Sequence, residues 1–301
     1  MSKLDVLAIG PHPDDVELGC GGTLALAARQ GLRVGILHLT RGERGTRGTS
    51  EQRLAEAEQA AAALGAVELA FLDCGDGGLR HGEPEEEALI EVLRTWRPEL
   101  VLGPPRHDRH PDHERGHRLV AAAAFYSGLQ ARGSRAMPAH RPAAVFSYMQ
   151  HHPFEPSFVV DVTAAWEAKL AALAAYRSQL YQPAAGRMAG SGATGPEVTG
   201  SEVPGATGRL GESLRQSITD EGGPAGGSAT AGVHRGVVEA LVGVAAAGPA
   251  TKVSSREFRL AVEGRARHFG QLIGAELGEP FWSPLPLAVA DLLALLPGGP
   301  R

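Results

Sequence analysis

The segment "PHPDD", residues 11–15, puts a histidine and two adjacent carboxylates at the end of an apolar run. Far along the chain, "RHDRHPDHERGH" (106–117) adds four histidines among acids and arginines. Histidine with carboxylate is the donor set of catalytic zinc, which takes three protein ligands and keeps a position open for water. His12, Asp15 and His113 would supply such a set from the two loops. Asp14 is then left to accept a proton from the attacking water, whose pKa a metal lowers towards neutrality. His110, three residues before His113, would sit across the pocket. As imidazolium it could stabilise a tetrahedral oxyanion or protonate a leaving amine. Asp112 beside it would hold that histidine charged, and Pro111 suits the first turn of the following helix.

Each assignment has a plainer competitor. Asp14 or Asp15 could simply cap the next helix. His113 and His117 stand four apart on a helix and could form a metal pair of their own. His107, His151 and His152 are expected on loops or the surface. Gly19, Gly21 and Gly22 could open a helix onto a phosphate. Two carboxylates in front of them would repel that phosphate, and "GCGGT" lacks the Lys-Ser/Thr of a phosphate loop, so close packing is the better account. Cys20 is expected to be a small packing residue rather than a ligand or nucleophile.

The elements must deliver these residues to one place. "LDVLAIG" (4–10), "RVGILHLT" (33–40), "VELAFLD" (67–73) and "ELVLGPP" (99–105) predict strands. Between and after them come helical patterns at 21–31, 50–65, 84–98 and 112–129. That alternation implies an α/β fold, a Rossmann-like and mostly parallel sheet with helices on both faces. Ligands in such sheets bind beyond the carboxyl ends of the strands, where strand order reverses, commonly between the first and fourth. "PHPDD" follows the first strand and "RHDRHPDHERGH" the fourth. Strands at 143–149 and 157–163, and a helix at 165–180, complete a catalytic part over 1–185. Residues 186–250 are rich in small residues and predict a largely mobile insertion with helical pieces at 212–219 and 237–248. Residues 251–301 return to ordinary composition, with a helix at 255–277.

Composition narrows the partners. The net charge of −5 argues against a nucleic-acid surface, and no apolar run is long enough for a bilayer. Two cysteines and the absence of a signal-peptide pattern imply a cytoplasmic protein without a disulfide framework.

"PHPDDVELGCGGT" followed by "RHPDHERGHR" resembles the signature pair of the LmbE-like, or PIG-L, zinc-dependent N-acetylglucosamine deacetylases. "LTRGERGTRGTSEQRLAEA" (39–57), "LDCGDGGL" (72–79), "HRPAAVFSYMQHHPFEPSFVVDVT" (140–163), "YRSQL" (176–180) and "RARHFGQLIGAELGEPF" (265–281) look like its bacillithiol-biosynthesis branch. The resemblance covers roughly 4–183 and 251–281. It implies hydrolysis of N-acetylglucosaminyl-malate to glucosaminyl-malate and acetate. Zinc is the implied cofactor, with Fe2+ or another divalent metal as substitutes. His12, Asp15 and His113 match the family's ligands, Asp14 its base, and His110 with Asp112 its oxyanion-stabilising pair. Arg53 and Arg109 match basic positions near the substrate pocket, where an anionic aglycone would favour guanidinium partners. Asp76 matches an acceptor for a sugar hydroxyl. Arg53 has a plain alternative as a solvated helix residue. The resemblance also implies a small-molecule substrate and a homo-oligomer, trimer or hexamer. Other functions in play are a deacetylase or amidase for another N-acetylglucosaminide or thiol conjugate, a non-catalytic sugar-binding protein, and a non-haem iron enzyme.

Overall fold

The computed structural model describes residues 3–134, 136–181 and 249–287, which belong to one compact unit. The proposed insertion at 186–250, with its two helical pieces, lies outside the described residues except for its last two positions.

Apolar alternation builds the centre. In β1 (Val6–Gly10), Val6 and Ala8 face one core, while Leu7 and Ile9 face the other. A strand buried on both faces needs a helical layer on each side. Helices α1 (Asp15–Arg29), α2 (Ser50–Leu64), α5 (Trp166–Ala175) and α6 (Arg256–Leu272) supply one layer. The other is α3 (Glu83–Trp96) and α4 (Pro111–Tyr126). The remaining strands are β2 (Val34–His38), β3 (Glu68–Phe71), β4 (Leu100–Gly103), β5 (Ala144–Tyr148), β6 (Phe158–Asp161) and β7 (Gly278–Trp282). Strand order is β3-β2-β1-β4-β5-β7-β6. The first five strands are parallel, and β7 runs antiparallel to both β5 and β6. β1 pairs with β4 in parallel, Val6 opposite Leu100, so the order reverses where the two polar loops emerge. No helix among the described residues is long and apolar enough to cross a membrane.

Two differences from the sequence expectation have physical causes. The first helix begins at Asp15 instead of residue 21, and the glycines lie inside it. They are there for contact: a Cβ on Gly19 would fall inside the Tyr148 ring, and one on Gly22 would sit 2.8 Å from Val162. The second difference is β7, which has no strand pattern because "GEPFW" carries a glycine and a proline. Pro280 is accommodated between β5 and β6, opposite Val159.

Glu279 explains what β7 contributes. α1 breaks at Cys20 (φ −141, ψ 19), opening the bond between the Leu18 carbonyl and the Gly22 N–H. A buried ion pair fills the gap. Lys169 Nζ donates to the Leu18 carbonyl at 3.0 Å and to Glu279 Oε1 at 2.6 Å, and Gly22 N donates to that same oxygen at 2.9 Å. Glu279 Oε2 accepts from Thr23 N and Oγ1, so the carboxylate caps the second part of α1. Glu279→Gln leaves the Lys169 charge buried without a counter-charge. Breaking such a pair costs about 3–5 kcal/mol, which lowers the melting temperature by roughly 6–20 °C in a domain of this size. A thermal melt within about 2 °C of the parent would mean the pair is not stabilising the break.

Candidate active site

The β1–α1 loop ends in an unusual conformation. Asp14 has φ 106, one of two non-glycine residues with positive φ among those described. It occupies the N-cap position of α1, yet its side chain caps nothing, which removes the capping alternative for Asp14. Such a backbone costs about 1–3 kcal/mol and persists only where the surroundings impose it. Here Arg53 does so: its Nη2 donates to the Pro13 carbonyl at 2.6 Å and lies 3.9 Å from Asp14 Oδ2, while Nη1 reaches the Gly42 carbonyl. Burial raises the Asp14 pKa to about 7, with Arg53 pulling the other way.

Asp15 turns to the opposite side. Its Oδ2 accepts from the His12 backbone N–H at 2.9 Å and faces His12 Nδ1 at 3.1 Å. Its Oδ1 faces His113 Nε2 at 3.2 Å and accepts from Gln150 Nε2 at 2.8 Å. Each imidazole gives its other nitrogen to further carboxylates. His12 Nε2 lies 3.2 Å from Asp76 Oδ1 and 3.3 Å from Asp112 Oδ2. His113 Nδ1 lies 2.5 Å from Asp108 Oδ2. Burial works against charge on both rings, but the carboxylates win: His12 stands well above its usual pKa and His113 is raised to about 9.

The same geometry accommodates a metal ion. Metal-bound histidines present one nitrogen to the ion and the other to an orienting carboxylate. Asp15 meets the two imidazoles through different oxygens, Oδ2 towards His12 and Oδ1 towards His113. Among the described residues, donor atoms of His12, His110 and His113 converge within 4.8 Å of one another, as do those of His12, Asp76 and Asp112; Asp15, expected as a ligand with His12 and His113, is in neither group. His117 joins no such group among the described residues. It sits 3.2 Å from both the Pro104 carbonyl and Ser147 Oγ, which leaves the His113/His117 pair without support. Cys20 is buried at the break in α1, and burial pushes its thiol well above the usual range.

The expected partnership of His110 and Asp112 is corrected. The Asp112 carboxylate accepts from Leu79 N at 3.0 Å, pairs with Arg115 and reaches His12, not the His110 ring. Instead the Asp112 backbone N–H donates to His110 Nδ1 at 3.2 Å, so His110 caps α4 with its ring. A nitrogen that accepts carries no proton, which puts any proton of His110 on Nε2. Burial, then the charges of His12 and His113, hold the His110 pKa down, against Asp15 and Asp112. Arg53 is 5% exposed, which overturns its reading as a solvated residue. Asp76 is buried against His12, and Arg109 is exposed beside the cluster.

Four participants escaped the sequence reading. Asp108 orients His113, and its pKa is held near 2 by that contact against the pull of burial; its place in "RHDRHPDH" was the available signal. Gln150 holds Asp15 from the end of β5. His151 lies on a loop as expected, and from there it stacks on His113 with ring centroids 6.0 Å apart. Glu17 is fully buried one turn behind Asp14 and accepts from the Tyr176 hydroxyl at 2.9 Å; burial raises its pKa to about 8. No pattern in a single sequence marks the last three.

The family model described as "PIG-L: GlcNAc-PI de-N-acetylase" matches residues 7–124, from β1 through both polar loops. The diacetylchitobiose deacetylase of Thermococcus kodakarensis is 32% identical over 188 residues, covering 58% of this chain and 69% of that protein. The chain belongs to the PIG-L family. Among solved structures, a conserved protein of Thermus thermophilus is 32% identical and superposes with a TM-score of 0.67, covering 96% of this chain and 98% of that one. A 1D-myo-inositol 2-acetamido-2-deoxy-alpha-D-glucopyranoside deacetylase of Thermomonospora curvata is 28% identical over 60% of this chain and 82% of its own. A probable N-acetyl-alpha-D-glucosaminyl L-malate deacetylase 2 of Bacillus cereus is 29% identical over 58% of this chain and 83% of its own. In this PIG-L chain, the matched segment contains the acids and histidines that the sheet brings together.

Proposed function

We propose that this PIG-L chain is a metal-dependent N-deacetylase of N-acetylglucosaminides. The observation that carries the reading is Asp15 held between His12 Nδ1 and His113 Nε2, with Asp14 turned away beside it on a strained backbone. His12, Asp15 and His113 would hold the metal, zinc in the first instance. Bound there, it would polarise the acetamide carbonyl and acidify water. Asp14 takes the proton from the attacking water and passes it towards the leaving amine; burial has brought its pKa to about 7, near the optimum for a general base. His110 offers its Nε2 proton to the oxyanion that develops on the former carbonyl. Asp108, Asp76 and Asp112 keep the two imidazoles oriented. A protein that only bound sugar would have no use for a strained, buried Asp14.

Within this class the proposed substrate is N-acetylglucosaminyl-malate, cleaved to glucosaminyl-malate and acetate. The likeness to the malate deacetylase supports that choice, and the inositol and chitobiose enzymes define its rivals. The test compares kcat/KM for the malate, inositol and chitobiose substrates. The proposal expects the malate glycoside to lead by about 10-fold or more, the effect of one charge-assisted contact. Equal rates would reject the malate assignment and leave the deacetylase standing.

A further inference from the structure

Loop 149–153 and α6 enclose a cavity of about 370 Å³. Among the described residues, Lys252, Arg265 and His268 line it and no carboxylate does, although the chain as a whole carries a net charge of −5. Among the described residues none of these three basic groups has a carboxylate within ion-pair distance. Arg265 is the telling member. Its Nη2 donates to the Leu18 carbonyl at 3.3 Å, and burial pulls its pKa down. Glu279 and Asp108 favour its charge only from beyond ion-pair distance, and a carboxylate reaching it gains paired, charge-assisted hydrogen bonds.

The cavity adjoins the metal-ligand cluster. Gln150 and His151 form part of its lining. Gln150 donates to Asp15, while the His151 ring lies between His113 at 6.0 Å and Phe258 at 5.6 Å. A group held in the cavity is therefore one side chain away from the proposed reacting centre. Of the two cations expected to meet an anionic aglycone, Arg53 has Nη1 and Nη2 engaged by the Gly42 and Pro13 carbonyls, and Arg109 is exposed. Lys252, Arg265 and His268 place further cations on α6 and the segment before it.

We propose that this cavity is the subsite for a carboxylate-bearing part of the substrate, held by Lys252, Arg265 and His268. The proposal rests on the deacetylase reading and adds which residues would hold the carboxylates of an anionic substrate.

The direct test titrates the protein with L-malate as probe, followed by calorimetry at low and high salt. The wild type binds malate with an affinity that falls as salt rises. Lys252→Ala and Arg265→Gln each weaken binding by about 10-fold, the loss of one hydrogen bond to a charged group. Arg265 also contacts Leu18, so Lys252→Ala, at an exposed side chain, separates binding from folding. No malate binding by the wild type, or unchanged binding by Lys252→Ala, overturns the proposal. Kinetics supply a second arm. The ratio of kcat/KM for N-acetylglucosaminyl-malate over diacetylchitobiose falls about 10-fold in Lys252→Ala, through KM, and equal loss on both substrates overturns the subsite. Should the wild type cleave neither substrate, the deacetylase reading fails and the malate titration alone decides the subsite.

Discussion

Asp14→Asn is expected to lower kcat for acetate release by about 10²–10⁴-fold, the usual contribution of a positioned general base. Asparagine is the informative replacement because it keeps the size of the side chain and tolerates positive φ better than most residues, so the strained turn at φ 106 survives. The amide cannot accept the proton that the carboxylate takes. Asp14 lies outside the His12–Asp15–His113 contacts, so the variant should keep its metal content and its melting behaviour. That combination separates a base from a ligand. Loss of metal together with loss of rate would make Asp14 a ligand, and undiminished kcat would give its role to another group.

Removing the metal is expected to cost at least as much. Several kcal/mol of transition-state stabilisation come from a metal that polarises the carbonyl and acidifies water, and each 1.36 kcal/mol is tenfold in rate. Chelation should therefore depress turnover by about 10³-fold or more, and restored zinc should return it. A second readout does not depend on turnover. A ligand that binds only the folded state raises stability by mass action, so the melting temperature should climb with zinc concentration. His113→Ala should lose that zinc-dependent rise. Its imidazole is 2% exposed and meets both Asp15 and Asp108. Full activity after exhaustive chelation would contradict the account.

The site was legible in the sequence wherever chemistry is carried by residue type and chain spacing. His12, Asp14, Asp15, His110 and His113 follow two parallel strands, and the reversal of strand order between β1 and β4 brings their loops together. What stayed hidden depends on direction. Nothing in "HPDH" says that Asp112 sends its carboxylate to His12 and only its backbone N–H to His110. Gln150 and His151 reach the cluster from β5 because that strand adjoins β4, a tertiary fact without a local pattern. β7 was missed for a related reason. Its glycine and proline look like a turn, yet Glu279 is retained there as the buried partner of Lys169 and the cap for the broken α1. The glycines, by contrast, were read as close-packing residues in preference to an anion loop, and Gly19 and Gly22 pack on Tyr148 and Val162.

The most direct measurement is product stoichiometry: zinc-loaded protein and N-acetylglucosaminyl-malate are mixed without oxygen, and acetate and free amine are quantified. The account predicts both products in equal molar amounts, well beyond the amount of enzyme, and neither above background with Asp14→Asn. Amine without acetate, a requirement for oxygen, or no amine at all from any N-acetylglucosaminide would contradict it.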